Sequence, residues 1–466
     1  MEENFEKQLF HNKPIGWEDT DENQKKEIFS LAQNYINFLN KAKIEREFAA
    51  EAIKLAQENG YRDIAEFDHL QAGDKIYFNN RGKSVYLSII GTENIENGIH
   101  IIGSHIDSPR LDLKPNPLYE DTGLAYFKTH YYGGIKKYQW TTIPLAIHGV
   151  IVKTNGEKIA VNIGESDDDP IFTITDLLPH LAQTQMEKKL KDGVEGENLN
   201  LLIGSIPYKN ENVKEKVKLN ILSILNRKYG IVEADLQSSE LELVPAFKAR
   251  SLGFDEGMVA AYGQDDKVCA YSSLAALMTI QNPKNTSVCI LADKEEIGSV
   301  GNTGMESHMF DFFISEILNK LGINRPNLLD KVFCFSKMLS SDVDAGFDPI
   351  FASVSDRNNA GYMGKGISLN KYTGARGKSG ASDANAEYVA WIRNILETNN
   401  IKYQMPELGK VDVGGGGTIA YILANKGVDV IDCGVPVLSM HAPYEVTSKY
   451  DIYSAFRTYQ AFWKAE

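Results

Sequence analysis

Five short segments of the chain combine histidine and carboxylate side chains of the types that bind divalent metal ions. The segments are GSHIDSP, QDDKVC, DKEEIGSVG, SSDVDAGFDP and SMHAPYE, and their candidate ligands are His105, Asp265, Glu296, Asp342 and His441. Nitrogen and oxygen ligands without cysteine suit zinc, manganese or cobalt. Two such ions that share a carboxylate polarise a carbonyl group and lower the pKa of a bridging water. The segments therefore predict a hydrolytic site with two divalent ions, with zinc as the first expectation.

Two adjacent glutamates, Glu295 and Glu296, follow the apolar run TSVCILAD. Neighbouring residues at the end of a strand point in different directions, so one carboxylate can bind metal while the other faces the reacting water. The spare glutamate would take the proton of that water and pass it to the leaving amine. Asp107, two residues after His105, can meet the need of a metal-bound imidazole for an acceptor at its other nitrogen.

Each of these segments also has a structural explanation. Asp265 and Asp266 precede a helical pattern, where acids often cap the first turn. Asp344 and Asp348 compete with Asp342 in the same polar loop, and a lone histidine after a last strand is commonly structural. The functional interpretation therefore depends on all five segments meeting at one place.

The intervening sequence predicts an α/β fold with a three-layer α/β/α domain and a mostly parallel central sheet. Helical runs such as VCAYSSLAALMTI and AEYVAWIRNILETNN alternate with strand-like runs such as TSVCILAD and KVFCFSKMLSSD. In open sheets of this kind, sites form beyond the carboxyl ends of the strands, where the candidate ligands fall. Residues 111–246 differ, with short strand-like runs between turns. We predict a discontinuous catalytic domain, 1–110 and 247–466, and an inserted β-rich domain, 111–246.

The composition limits the binding partners and the cellular compartment that we expect for this protein. The formal net charge is −14, which disfavours nucleic acid and anionic membrane surfaces as partners. No run approaches about 18 consecutive apolar residues, and the first residues lack the pattern of a signal peptide. The four cysteines are widely separated in apolar runs, which predicts buried thiols rather than disulfides. We therefore expect a cytoplasmic protein.

The segments occur in the order typical of the M18 family of metalloaminopeptidases, and the chain resembles that family over nearly its whole length, most closely its bacterial members. The family includes aspartyl aminopeptidase and belongs to the wider MH clan. The resemblance implies that His105, Asp265 and Asp342 hold one ion. It implies that Glu296 and His441, with Asp265 as a bridge, hold the other ion.

The same resemblance assigns roles to further residues. It implies that Glu295 is the general base and that Asp107 orients the first histidine. It also implies an inserted domain that forms dimers, which assemble into a dodecamer whose enclosed sites admit short peptides as substrates. His180, in the inserted domain, could then reach the site of a neighbouring subunit or could be structural.

The segment before the last strand, KVDVGGGGTIAY, departs from the eukaryotic aspartyl enzymes, which carry basic and polar residues there. Glycines such as Gly415 allow a substrate to approach the backbone but bring no positive charge. Lys378 or Arg376 could supply the charge, or could belong to a solvated loop. An acidic preference at the P1 residue, the first residue of the substrate, is therefore left open.

Three other functions compete with a metalloaminopeptidase. A related metallohydrolase that acts on N-acyl amino acids needs the same base beside a metal, so Glu295 does not separate the two. A non-catalytic metal-binding scaffold is disfavoured because that base is present. A nucleotide-binding protein is disfavoured because GSVGNTG and GGGG lack the spacing and the lysine of phosphate-binding loops.

Overall fold

The apolar runs that precede the candidate ligands form the middle of a nine-stranded sheet. This computed structural model describes residues 9–10, 15–209 and 212–465. The strands, in chain order, are β1 (Arg62–Asp63), β2 (Lys75–Asn80), β3 (Ser84–Ile89), β4 (His100–His105), β5 (Arg110–Asp121), β6 (Leu124–Tyr132), β7 (Leu145–Val152), β8 (Lys158–Ile163), β9 (Leu201–Gly204), β10 (Ser239–Pro245), β11 (Arg250–Leu252), β12 (Met258–Ala261), β13 (Ser287–Ala292), β14 (Lys337–Ser341), β15 (Asp344–Ala345), β16 (Ile367–Asn370), β17 (Tyr403–Gln404), β18 (Asp429–Gly434), β19 (Pro436–Leu438) and β20 (Glu445–Ser448).

The nine-stranded sheet has the order β1-β2-β3-β13-β4-β14-β18-β16-β17. Five of its eight neighbouring pairs are parallel, and three are antiparallel. The four central strands β13, β4, β14 and β18 run in one direction, so their carboxyl ends lie along a single edge. The α/β fold class and the mostly parallel central sheet are confirmed.

Helices cover both faces of this sheet. In chain order, the α-helices of the described residues are α1 (Glu22–Leu39), α2 (Glu45–Glu58), α3 (Gln183–Met186), α4 (Leu190–Gly193), α5 (Lys216–Tyr229), α6 (Gln264–Met278), α7 (Met309–Lys320), α8 (Leu328–Cys334), α9 (Ala386–Thr398), α10 (Ala420–Ala424) and α11 (Lys449–Lys464). Along β13, Cys289 and Leu291 join the core beneath α1, α2, α6, α9 and α11. Val288 and Ile290 join the opposite core, beneath α7, α8 and α10. The two-residue alternation of a strand thus separates two cores and produces three layers.

One predicted strand is partly wrong. The run KVFCFSKMLSSD is helical at its start, because α8 extends to Cys334 and the strand begins only at Lys337. Leu328, Val332 and Phe333 are buried at helical spacing, so the apolar residues of this run cover one face of a helix. Cys334 lies on the exposed side of that helix, whereas the other three cysteines are buried, as expected.

A second, six-stranded sheet forms a separate core and has the order β8-β7-β10-β5-β6-β9. All its pairs are antiparallel. Its strands use residues between Arg110 and Pro245. The division into a discontinuous domain and an inserted domain at 111–246 stays a prediction. Within the described residues, no helix combines the length and the apolar composition that crossing a bilayer requires.

Candidate metal centre

Three of the predicted ligand segments leave neighbouring strands at the same edge of the central sheet. His105 is the last residue of β4 and pairs in register with Ala292, the last residue of β13. Glu295 and Glu296 follow β13, and Asp342 directly follows β14, which pairs with β4 on its other side. The remaining two segments reach this edge from the start of α6 and from the turn after β19.

The carboxylate of Asp265 lies between the two imidazoles. Its Oδ1 is 3.1 Å from Nε2 of His105, and its Oδ2 is 3.0 Å from Nε2 of His441. A carboxylate with one oxygen at each imidazole has the geometry needed to bridge two cations. The structure therefore brings together His105 and His441, which are 336 positions apart in the chain (441 − 105).

Two further acids flank this bridge, one on each side. Oδ1 of Asp342 is 3.7 Å from Nε2 of His105, and Oε2 of Glu296 is 3.6 Å from Nε2 of His441. Glu295 is close to the first histidine as well, with Oε2 at 3.9 Å from Nε2 of His105. All the side chains that the sequence analysis singled out as ligands or base thus meet at one place.

Asp266 is the nearest competitor of Asp265. One of its carboxylate oxygens lies within 4.8 Å of ligand atoms of His105 and Asp342. However, Oδ2 of Asp266 accepts the backbone N–H of His105 at 3.3 Å. Only Asp265 of this pair contacts both imidazoles, so we retain it as the shared carboxylate. The peptide bond between the two aspartates is cis.

Asp107 anchors two segments of the site at once. Its fully buried carboxylate accepts the backbone N–H groups of Glu295 at 3.1 Å and Glu296 at 3.2 Å. Nδ1 of His105 lies 3.4 Å from Oδ1 of Asp107 and 3.1 Å from its carbonyl oxygen. Asp107 therefore contacts the imidazole, and it also fixes the turn that carries the two glutamates.

Glu445 also anchors two segments of the site through their main-chain N–H groups, and the sequence analysis missed this residue. This buried carboxylate accepts the backbone N–H of His441 at 2.7 Å and that of Asp265 at 3.1 Å. The residue stands in the quoted segment SMHAPYE, but nothing in the sequence indicates that its partner is 180 residues away.

The two glutamates and His441 have raised pKa values in this confined place. Burial raises the pKa of Glu295 to about 8, and the charges of Asp342, Asp107 and Asp265 add to the shift. Burial also raises the pKa of Glu296 well above its ordinary value. Burial opposes protonation of His441, but its hydrogen bond with Asp265 and the charge of Glu296 raise its pKa to about 10. Besides burial, these shifts in pKa reflect the concentration of carboxylates at this position.

This donor set fits divalent cations. It consists of carboxylate oxygens and imidazole nitrogens, which zinc accepts. Oε1 of Glu296 is buried and has no hydrogen-bond partner among the described residues, which is costly for a carboxylate. A bound cation would satisfy that oxygen and offset the mutual repulsion of the acids.

A cavity of about 460 Å³ opens beside these side chains. Small-molecule sites typically occupy ~300–1,000 Å³. Its lining also includes Asn370, Thr373, Thr418 and the glycines 415–417. A second cavity, of about 720 Å³, shares Leu408, Met440 and His441 with the first. Both cavities therefore adjoin His441.

Of the three predicted substrate-binding residues, only Gly415 lines the cavity beside the proposed ligands. Gly415 lines the cavity, and a Cβ there would lie 2.4 Å from Cα of Ala375, so this close approach requires glycine. Lys378 points away to an ion pair with Asp383 at 3.1 Å and, like Arg376, lines a neighbouring depression. His180 is exposed and lies outside the lining of the cavity.

Two residues at and just beyond the end of β6 also contact the site, and the sequence analysis missed both. The hydroxyl of Tyr132 donates to Oδ2 of Asp107 at 2.8 Å. Nδ1 of His441 lies 2.8 Å from the carbonyl oxygen of Gly134. The glycine pair that follows a strand-like run in THYYGG is the one signal of a close backbone approach.

Comparison with known proteins agrees with this arrangement. A family model described as "Aminopeptidase I zinc metalloprotease (M18)" matches residues 38–463. A "Probable M18 family aminopeptidase 1" of Clostridium acetobutylicum is 54% identical over 450 residues, which cover 96% of this chain and 97% of that protein.

Solved structures support the same relationship. The crystal structure of an M18-family aminopeptidase from Thermotoga maritima superposes with a TM-score of 0.94 at 43% identity, covering 98% of this chain and 100% of that one. The crystal structure of aminopeptidase I from Clostridium acetobutylicum gives 0.91 at 52% identity, covering 97% and 99%.

The fold and the family match define the class as a zinc-dependent peptidase of the hydrolases. The chain belongs to the M18 family of aminopeptidases. The resemblance drawn from its sequence motifs is thereby confirmed.

Proposed function

We propose that the chain is an aminopeptidase with two divalent ions per subunit, which releases the N-terminal residue of short peptides. His105, Asp265 and Asp342 would hold one ion, and Glu296, His441 and the shared Asp265 would hold the other. The observation that carries this proposal is the Asp265 carboxylate, with one oxygen at 3.1 Å from His105 and the other at 3.0 Å from His441. Zinc is the first expectation, and manganese and cobalt accept the same donors.

Glu295 is the general base of the proposed reaction. When bound, the ions polarise the scissile carbonyl and stabilise the charge that develops on it. Glu295 takes the proton of the attacking water and then donates it to the leaving amine. Asp107 holds the backbone of Glu295 in place, so the carboxylate keeps its position while it exchanges the proton. His105 and His441 would hold the ions through Nε2, because Nδ1 of each ring faces an oxygen of the protein.

A panel of substrates tests this proposal against the N-acyl amino acid hydrolase, which none of the family matches supports. We expect aminoacyl 4-nitroanilides to be cleaved after the metal-free protein is reloaded with Zn²⁺, Mn²⁺ or Co²⁺. We expect N-acetyl amino acids to stay intact, because an aminopeptidase recognises a free amine on the residue that it releases. Hydrolysis of N-acetyl amino acids to acetate and the free amino acid, at equal or higher kcat/KM, would favour the alternative.

We further propose that the P1 preference is for neutral rather than acidic side chains. Among the described residues, the lining of the first cavity includes six acids and no lysine or arginine. Two of the acids, Asp344 and Asp432, are not among the proposed ligands and are almost fully buried. An anionic P1 side chain would find no lysine or arginine of this lining to pair with, and burying an unpaired charge costs free energy.

The same panel provides the measurement. We expect kcat/KM for leucyl and alanyl substrates to exceed that for aspartyl and glutamyl substrates by at least about 10-fold, which corresponds to ~1.4 kcal/mol. Lys378→Ala provides the matched test of the basic residue, because Lys378 pairs with Asp383 outside the cavity. The order of substrates should be unchanged in this variant. Best cleavage of acidic substrates, lost on Lys378→Ala, would overturn the proposal.

We also propose that the chain forms a homo-oligomer of dimers, up to a dodecamer, in the cytoplasm. One segment of the six-stranded domain exposes large apolar side chains, at Ile171, Leu177, Leu178, Leu181, Met186 and Leu190. Such exposure on one segment commonly marks a protein–protein contact. His180 lies within this segment, so an interface here would bring it towards a neighbouring subunit. All four cysteines are free thiols, which suits a reducing compartment.

The interface is tested by removing apolar surface. We expect Leu181→Ser combined with Met186→Ser to shift the molar mass, measured by light scattering after gel filtration, towards smaller species. These side chains are 69% and 73% exposed in the single chain, so the folded subunit should tolerate the change. Gln183→Ser in the same segment is the control and should leave the mass unchanged. An unchanged mass in the double variant would exclude this segment from the interface.

A further inference from the structure

The segment of the inserted sheet from Tyr132 to Gly134 lies against both halves of the proposed metal centre. Tyr132 ends β6, and its hydroxyl donates to Asp107 at 2.8 Å. Gly134 follows two residues later, and its carbonyl oxygen is 2.8 Å from Nδ1 of His441. This three-residue segment thus contacts His441 directly, and it contacts Asp107, which in turn contacts His105.

The two glycines allow this approach. A Cβ on Gly134 would lie 3.3 Å from Nδ1 of His441, and a Cβ on Gly133 would lie 3.4 Å from Oε2 of Glu296. The backbone of Gly133 has a φ of 72°, a conformation that favours glycine. The segment therefore packs directly onto two of the proposed ligands, His441 and Glu296.

Tyr132 is itself held in a fixed position. Arg110, its partner in the β5–β6 register, places its guanidinium 3.8 Å from the centre of the Tyr132 ring. The same guanidinium is fixed by Glu242 at 2.9 Å and Asp112 at 2.8 Å. Burial raises the pKa of Tyr132, and the charge of Asp107 adds to the shift, so the hydroxyl stays protonated and remains a donor.

From this geometry we propose that the Tyr132–Gly134 segment is a positioning element through which the inserted sheet sets the metal affinity of the catalytic site. Tyr132 acts on the ion of His105 through Asp107, and Gly134 acts on the ion of His441 by fixing its Nδ1–H. Partners of this kind orient an imidazole and select its tautomer, and losing one typically lowers metal affinity by ~10–100-fold. The inference rests on the proposed two-ion site.

Two variants separate the two halves of the segment. Tyr132→Phe removes only the hydroxyl, and Gly134→Ala places a methyl group against His441 without requiring a positive φ. Tyr131→Phe is the matched control, because its side chain is 44% exposed and lies one position away. Each metal-free protein is titrated with Zn²⁺ in competition with a chromophoric chelator, and its unfolding temperature is measured with and without Zn²⁺.

We expect Tyr132→Phe to lower the affinity for one of the two ions by about 10-fold or more. We expect Gly134→Ala to lower the affinity for the other ion. The metal-free unfolding temperature of Tyr132→Phe should stay close to that of the control, whereas the increase produced by Zn²⁺ should shrink. The visible spectrum of the Co²⁺-loaded Tyr132→Phe protein at saturation should differ from that of the control.

Wild-type affinity for both ions in Tyr132→Phe, with an unchanged Co²⁺ spectrum, would overturn the inference. So would an equal loss of stability in the metal-free and the metal-bound protein, because that result indicates a purely structural role. A wild-type chain that binds fewer than two ions in the same titration would overturn the proposed two-ion site itself.

Discussion

Glu295→Gln should reduce kcat by about 10²–10⁴-fold while the protein keeps its full metal content. The amide has the size of the carboxylate but cannot accept the proton of the attacking water. The substitution leaves the backbone N–H of residue 295 bonded to Asp107, so the loop and the neighbouring Glu296 should stay in place. Activity on an aminoacyl 4-nitroanilide and elemental analysis of the same sample provide the two measurements.

The control for this variant is Glu387→Gln, which makes the same chemical change at an exposed position in the first turn of α9. It should retain wild-type kcat and metal content. If Glu295→Gln keeps kcat within about threefold of the wild type, Glu295 is not the general base. If it loses metal as well as activity, Glu295 would have to be reassigned as a ligand.

His441→Ala should lower the bound metal from two ions towards one per chain and reduce activity by at least about 100-fold. Even the loss of an outer partner of a ligand costs ~10–100-fold in affinity, so the loss of the ligand should cost more. His105 would still have Asp265 and Asp342 close by, at 3.1 Å and 3.7 Å, so one ion should remain. Elemental analysis after dialysis against buffer without metal gives the stoichiometry.

His308→Ala is the matched control, because the side chain of His308 is 97% exposed on a different surface loop. It should keep two ions and full activity. Two tightly held ions in His441→Ala would contradict the assignment of His441 as a ligand. The loss of both ions would mean that the two positions do not fill independently.

The sequence predicted much of this site because its signals are local. His105, Glu295 and Asp342 each come at or just after a buried apolar run, and parallel strands place such positions at one edge. Those residue types therefore predict both the location and the kind of chemistry. The order of the strands was not needed for this prediction, since a shared direction is sufficient.

Other parts of the site depend on three-dimensional packing that has no local signal. Asp265 and Asp266 are adjacent acids, and only the course of the backbone decides which one faces both imidazoles. Tyr132 and Gly134 reach the site only because the six-stranded sheet packs against this edge. Lys378 looked available for a substrate, but Asp383, five residues later, binds it instead. The helical start of KVFCFSKMLSSD was missed because its apolar residues are compatible with either period.

Asp107 and Glu445 hold the loops of this site by hydrogen bonds to the main chain, which affects how the chemistry of the site could change in evolution. Asp107 accepts hydrogen bonds from the main-chain N–H groups of residues 295 and 296, and Glu445 accepts them from residues 265 and 441. Every amino acid except proline has a main-chain N–H group, so these hydrogen bonds do not depend on which side chains the loops carry. The reactive side chains can be exchanged by mutation while the frame beneath them persists. A different catalytic activity could therefore evolve at this edge of the sheet through variants that all still fold.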